Sequence, residues 1–184
     1  MNEIHTHWFD PVTLYRDGYP DEITSALRVS PLLRDVVREE TAALAPELVL
    51  EIGPGDMPAC AGLAKVVFLD VAQVFLRSLD GLRVRADLMH APFEPGTFDV
   101  VVVSDVLTHV RPARRRDAVA AMAALGRHLV LFNPEMGTET VAGSKVVSHP
   151  IPEILRGLGF TVTVREFMAF AQAGHRMMLF TARR

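Results

Sequence analysis

The chain has 184 residues, 49% of them hydrophobic and 22% charged, and a formal net charge of −3. That apolar content excludes disorder over most of the chain, the length suits one compact domain, and the acidic balance offers no general field for a nucleic-acid backbone. One cysteine, Cys60, excludes an internal disulfide or a multi-thiolate zinc site, and the mid-chain apolar run Val100–Val103 is far too short to span a bilayer.

Residues 1–46 read as a helical lead-in. Met1 to Phe9 is polar and lacks the charged-then-apolar pattern of a secretion signal, so a cytoplasmic protein is expected, monomeric or homodimeric, with no nucleic-acid or membrane partner. Trp8, Phe9, Tyr15 and Tyr19 lie among the turn formers Pro11, Gly18 and Pro20, and a short helix fits about Asp21 to Leu27. Trp8, Tyr15 and Tyr19 either fold over a ligand crevice as a lid or pack the lead-in helix. Ser30 then has the character of an N-cap with Pro31 at the first helical position. Leu33, Val36, Val37 and Leu44 give one apolar face, opposed by Arg34, Arg38 and Glu39, and Pro46 lies past the expected stop.

Residues 47–184 alternate between strand and helix. Strands are expected at Leu48–Ile52, Val66–Leu69, Leu82–Ala86, Phe98–Val103 and Leu129–Phe132. Their nearly continuous apolar runs suit a parallel sheet buried on both faces. Helices are expected at Pro58–Ala64, Ala72–Leu79, Ala113–Leu125 and Ile151–Leu158. Phe160–Glu166 and His175–Thr181 then form a hairpin that adds an antiparallel member at one end. The fold class is therefore α/β, a doubly wound and mostly parallel sheet with a C-terminal antiparallel hairpin.

The sharpest motif closes the first strand: Glu51-Ile52-Gly53-Pro54-Gly55-Asp56-Met57-Pro58. Gly53 and Gly55 allow a tight turn and close approach of a ligand to the backbone. Pro58 stands where a dinucleotide fingerprint needs its third small residue, and no Walker Gly-Lys-Ser/Thr is present. Glu51 is expected to point into the crevice, where it would repel a pyrophosphate and favour an ammonium group. Asp70 closes the second strand, in place to accept hydrogen bonds from ribose hydroxyls, and Asp87 follows the third, in place for an adenine amine. Acids at successive strand ends suit an adenosine with a cationic, amino-acid-like tail, as in S-adenosylmethionine.

With these motifs the chain resembles the class I S-adenosylmethionine-dependent methyltransferases. Glu51-Ile52-Gly53-Pro54-Gly55 resembles the family's first motif, Asp70 its second-strand acid, and Ala86-Asp87-Leu88 its adenine-side motif. Phe93 to Val101 resembles the approach to the fourth strand, and Ser104-Asp105-Val106-Leu107-Thr108-His109-Val110 the segment after it. Met57 replaces a frequent third glycine, and Leu125-Gly126-Arg127-His128 replaces a frequent Pro-Gly-Gly turn. The resemblance spans Glu47 to Arg184 and implies a seven-stranded sheet. It also implies a cofactor site of Glu51, Gly53, Pro54, Gly55, Asp70, Val71, Asp87, Leu88, Ser104 and Asp105, releasing S-adenosylhomocysteine as product.

The implied activity is methyl transfer to an oxygen or nitrogen of a small-molecule acceptor. A non-methylating S-adenosylmethionine enzyme, a cofactor-binding partner subunit and a peptide or protein methyltransferase are the alternatives. His109, at the ligand-binding edge, is the catalytic candidate. It either deprotonates the acceptor or packs against the cofactor or hydrogen-bonds locally. Tyr15, Tyr19, His109 and Asn133 are candidate acceptor contacts, with the loop Pro134–Pro150 as further lining. Arg111, Arg114, Arg115 and Arg116 form either a solvated face or a docking point for an acidic acceptor. Asp99 reads as the residue that opens the fourth strand, not as a ligand. His5, His7 and His149 have no mutual metal spacing backed by carboxylates on an identifiable element; His5-x-His7 is the one pair that could bind a metal, at an unstructured end, and no metal is expected.

Overall fold

The computed structural model describes residues 31–135, 140–141, 144–145, 150–170 and 175–184. The expected helix at Asp21–Leu27, the lid residues Trp8, Tyr15 and Tyr19, and the histidines His5, His7 and His149 lie outside them. Helix α1, Pro31–Ala42, opens the described chain. Then come β1 (Leu48–Ile52), β2 (Lys65–Asp70), α2 (Gln73–Arg77), β3 (Leu82–Arg85), β4 (Phe98–Ser104) and α3 (Arg115–Leu125). The chain closes with β5 (Gly126–Glu135), β6 (Thr140–Val141), β7 (Ser144–Lys145), α4 (Ile151–Gly157), β8 (Thr161–Phe170) and β9 (His175–Arg183). Three-residue 3-10 turns sit at Leu88–His90, Leu107–His109 and Pro112–Arg114.

The main sheet has seven strands in the order β3-β2-β1-β4-β5-β9-β8. Strands β1 to β5 pair in parallel, and β9 runs antiparallel between β5 and β8. The architecture is the mixed, mostly parallel α/β sheet expected from the alternation of apolar runs. The small strands β6 and β7 pair only with each other.

Each face of the sheet carries its own core. On one, Leu50, Ile52, Val101, Val103, Leu129 and Leu131 pack with Val119 and Met122 of α3 and Leu155 of α4. On the other, Val49, Val100, Val102 and Val130 pack with Val37 of α1 and with Ala59 and Cys60. Glu40 ties the far side of α1 to the hairpin through Arg165, and Thr181 Oγ1 donates to Glu40 Oε2 at 3.2 Å. The described part of the lead-in is thus an integral layer of the fold.

Three expectations are revised. The helix at Pro58–Ala64 does not form: residues 53–64 cross from β1 to β2 through turns and bends. Glycines and prolines interrupt that segment, and side chains hold its backbone groups in place of a helical ladder, while α1 covers the face a crossover helix would cover. Strand β3 is not buried on both faces, because it is the edge strand and leaves Leu82 66% exposed. Strand β5 extends past Phe132 to Glu135, so Asn133-Pro134-Glu135 forms its end, not the loop after it. Pairing with β4 stops at Ser104–Phe132 and only β9 continues alongside, which leaves one edge of the strand free of the N–H that Pro134 lacks.

Candidate active site

Strands β1 and β4 are neighbours, yet β2 and β3 lie between them in the chain. The order of winding reverses there, and the loops leaving the carboxyl ends of β1 and β4 diverge to form the crevice where open α/β sheets bind ligands. The glycine turn leaves β1 at this point. Gly53 and Gly55 have φ of +66° and +59°, values that strain a residue with a Cβ. Gly53 donates its N–H to the Leu69 carbonyl at 2.8 Å, which fixes the turn to the end of β2.

Asp70 stands beside the turn. Its Oδ1 accepts the Ala72 N–H at 2.8 Å, and the amides of Gly55 and Val71 also favour its ionised form. Burial pushes its carboxyl up to about pKa 6, against those amides, which pull it down. Val71 in turn accepts Arg85 Nε at 3.2 Å through its carbonyl.

Glu51 does not lie open to the crevice. Its side chain is on the α1 face and only 2% exposed, and its two oxygens accept the Ala59 N–H at 2.7 Å and the Cys60 N–H at 3.0 Å. Burial raises its pKa, countered by those hydrogen bonds and by the charge of Arg34. Parallel pairing of Glu51 with Phe68 and Val102 buries it in mid-sheet, so the carboxylate satisfies the backbone of the crossover. From the other side Arg38 Nη1 donates to the carbonyls of Ala59 at 3.2 Å and Ala61 at 2.7 Å. The sequence reading placed Arg38 only on the polar face of its helix, and no local signal marks this role.

Just past β3, Asp87 is exposed and its Oδ1 accepts the Met89 N–H at 2.8 Å, capping the 3-10 turn. The Leu88 side chain belongs to the core, which leaves its backbone as the group on offer. At the end of β4, Ser104 Oγ is shielded from solvent and has no hydrogen-bond partner among the described residues. Asp105 follows with φ +54° and donates its N–H to the Phe132 carbonyl at 2.8 Å. A left-handed residue other than glycine at the carboxyl edge of a sheet is a frequent mark of a functional turn.

His109 closes the next 3-10 turn and donates its N–H to the Val106 carbonyl at 3.0 Å. Burial lowers its imidazole to about pKa 4, so it is neutral at physiological pH. Asn133 pairs with Met178 at the end of β5. The arginines divide: Arg115 Nε donates to the Val110 carbonyl at 2.8 Å, and Arg114 pairs with Asp117 at 3.2 Å and reaches Met89 Sδ at 3.6 Å. Asp99 lies at the opposite end of the sheet, where Oδ2 accepts the N–H groups of Glu47 and Leu48 at 3.0 Å each.

A glycine turn at the switch point, an acid beside it at the end of β2 and, on the other side at the end of β4, a buried hydroxyl with no partner among the described residues are the marks of a nucleotide-binding doubly wound protein. The turn admits no side chain at Gly53, where a Cβ would come within 2.3 Å of Val106 Cγ2. The ionised Asp70 keeps lone pairs for a diol, so these residues fit an adenosine cofactor.

Residues 50–129 match the family model of a methyltransferase domain. Over that stretch the chain is similar to a methyltransferase domain, and its sheet is Rossmann-like. No curated protein sequence matches it. Among solved structures, it is similar to the Burkholderia thailandensis 1,6-didemethyltoxoflavin-N1-methyltransferase, at 18% identity over 100% of this chain and 91% of that one, with a TM-score of 0.71. It is also similar to magnesium protoporphyrin IX methyltransferase of Synechocystis PCC 6803, at 19% identity over 100% and 95% of the two chains, with a TM-score of 0.69. The N-methyltransferase NodS of Bradyrhizobium japonicum WM9 aligns at 16% identity over 96% and 98%, with a TM-score of 0.70. Among the described residues no helix is long and apolar enough to cross a membrane.

Proposed function

We propose that the protein methylates an oxygen or nitrogen of a small-molecule acceptor. The observation that carries this reading is the crevice itself: a side-chain-free turn at Gly53, Asp70 beside that turn at the end of β2, and Ser104 Oγ left without a partner among the described residues. Gly53, Pro54 and Gly55 would hold the methionyl end, Asp70 and Val71 the ribose, Asp87 and the Leu88 backbone the adenine, with Ser104 and Asp105 forming the floor. Glu51 would act behind the turn by fixing its backbone.

When bound, S-adenosylmethionine supplies an electrophilic sulfonium methyl that an acceptor oxygen or nitrogen attacks in line. His109 is neutral and can take the acceptor's proton as its lone pair forms the new bond, but burial makes it a weak base. Orientation of the acceptor and exclusion of water would then supply most of the rate. Asn133, Tyr15 and Tyr19 would complete the acceptor side. Small-molecule acceptors are favoured by the similar proteins, a 1,6-didemethyltoxoflavin-N1-methyltransferase and a magnesium protoporphyrin IX methyltransferase. A screen of small-molecule acceptors with methyl-labelled cofactor tests the proposal. Label on an acceptor oxygen or nitrogen is the expected result; label found only on proteins or peptides would overturn it.

A further inference from the structure

Val106 touches the glycine turn and the histidine turn at once. Asp105, left-handed at φ +54° and anchored to Phe132, bends the chain at the end of β4 and brings Val106 onto Gly53. A Cβ on Gly53 would lie 2.3 Å from Val106 Cγ2 and 3.7 Å from its Cβ, so one methyl group occupies the space a side chain there would need. The Val106 carbonyl meanwhile accepts the His109 N–H at 3.0 Å. One residue therefore supports the cofactor-side turn with its side chain and the acceptor-side turn with its backbone.

We propose that Val106 is a positioning residue for methyl transfer, whose Cγ2 methyl sets the height of the Gly53 turn and so registers the cofactor against the segment that carries His109. The inference rests on the cofactor reading of this crevice. In a close-packed contact, removing one methyl lets the facing backbone relax, and two residues in such contact have coupled effects.

The test is calorimetric titration with S-adenosylhomocysteine of the full chain carrying Gly53→Ala, Val106→Ala, both together, or Val106→Thr, each checked by its melting transition. Val106→Ala should weaken binding about tenfold, and Val106→Thr, which keeps the branch, should stay within about threefold of the native chain. Gly53→Ala should weaken it by about a hundredfold, and adding Val106→Ala should then recover affinity, because the clashing methyl is gone. Equal penalties from Val106→Ala in both backgrounds, or a Val106→Thr variant as weak as Val106→Ala, would overturn the inference while leaving the cofactor reading intact. No binding by the native chain would overturn both. If Val106→Ala does not fold, Val106→Cys removes the same branch and carries the same comparison.

Discussion

Arg38 and Glu51 hold one stretch of backbone from opposite sides: the guanidinium of Arg38 binds the carbonyls of Ala59 and Ala61, and the carboxylate of Glu51 binds the N–H groups of Ala59 and Cys60. In a helical crossover these groups would pair along the ladder. Here one side chain from α1 and one from β1 satisfy them, and the glycine turn lies directly upstream.

Removing either clamp should therefore loosen the turn. Arg38→Ala and Glu51→Ala are each expected to lower stability by about 1–3 kcal/mol, the cost of leaving buried polar groups unpaired, and to weaken S-adenosylhomocysteine binding in parallel. Denaturant melts and calorimetry check this. If Glu51→Ala keeps full stability and loses only affinity, the carboxylate faces the ligand and not the backbone.

Asp70 should make cofactor binding depend on pH. Its folded-state pKa is raised from 3.8 to about 6, so below that value most of the ligand-free protein carries a neutral carboxyl. On the proposed role of Asp70, ribose hydroxyls would donate to the ionised form, and binding below about pH 6 would first have to release that proton. Affinity should be flat above about pH 7 and fall by up to about tenfold per unit below pH 6. The same shift stabilises the ligand-free fold in acid: the contribution is full below the unfolded pKa and is lost as pH rises through about 6. Asp70→Asn should bind weakly and without this dependence; an unchanged profile would remove Asp70 from the site.

A proton-accepting role for His109 predicts its own pattern. Because burial holds the imidazole near pKa 4, turnover should be independent of its titration between about pH 6 and 8. His109→Gln should lower turnover by about a hundredfold with cofactor affinity within about threefold, the range of general-base catalysis. Turnover like that of the native chain would leave His109 a packing residue.

Asp99 serves as the control at the far end of the sheet. Hydrogen bonds from the Leu48 and Glu47 amides, with Arg127 at 3.6 Å, hold its carboxyl below the usual range. Its stabilisation is present above the unfolded pKa and is lost as pH falls through the depressed one. Asp99→Ala should cost about 1–2 kcal/mol in a denaturant melt and leave S-adenosylhomocysteine affinity unchanged.

The sequence by itself determined the parts written in local pattern. Apolar runs such as Val100–Val103 marked the buried strands, and Gly53-Pro54-Gly55 marked a ligand turn because its positive φ values suit glycine. Asp70 could be read from its place at a strand end, where the sheet delivers it to the crevice edge. Only the tertiary structure decided the direction of Glu51, the absence of a helix after Pro58, and the seat of Val106 on Gly53. Each depends on a group distant in the chain: α1 arrives to cover the sheet face and lend Arg38, and β4 ends in a bend that drops Val106 onto the turn. Such contacts form between residues whose own neighbours carry no trace of them, since burial and hydrogen-bond satisfaction are settled only when the layers meet.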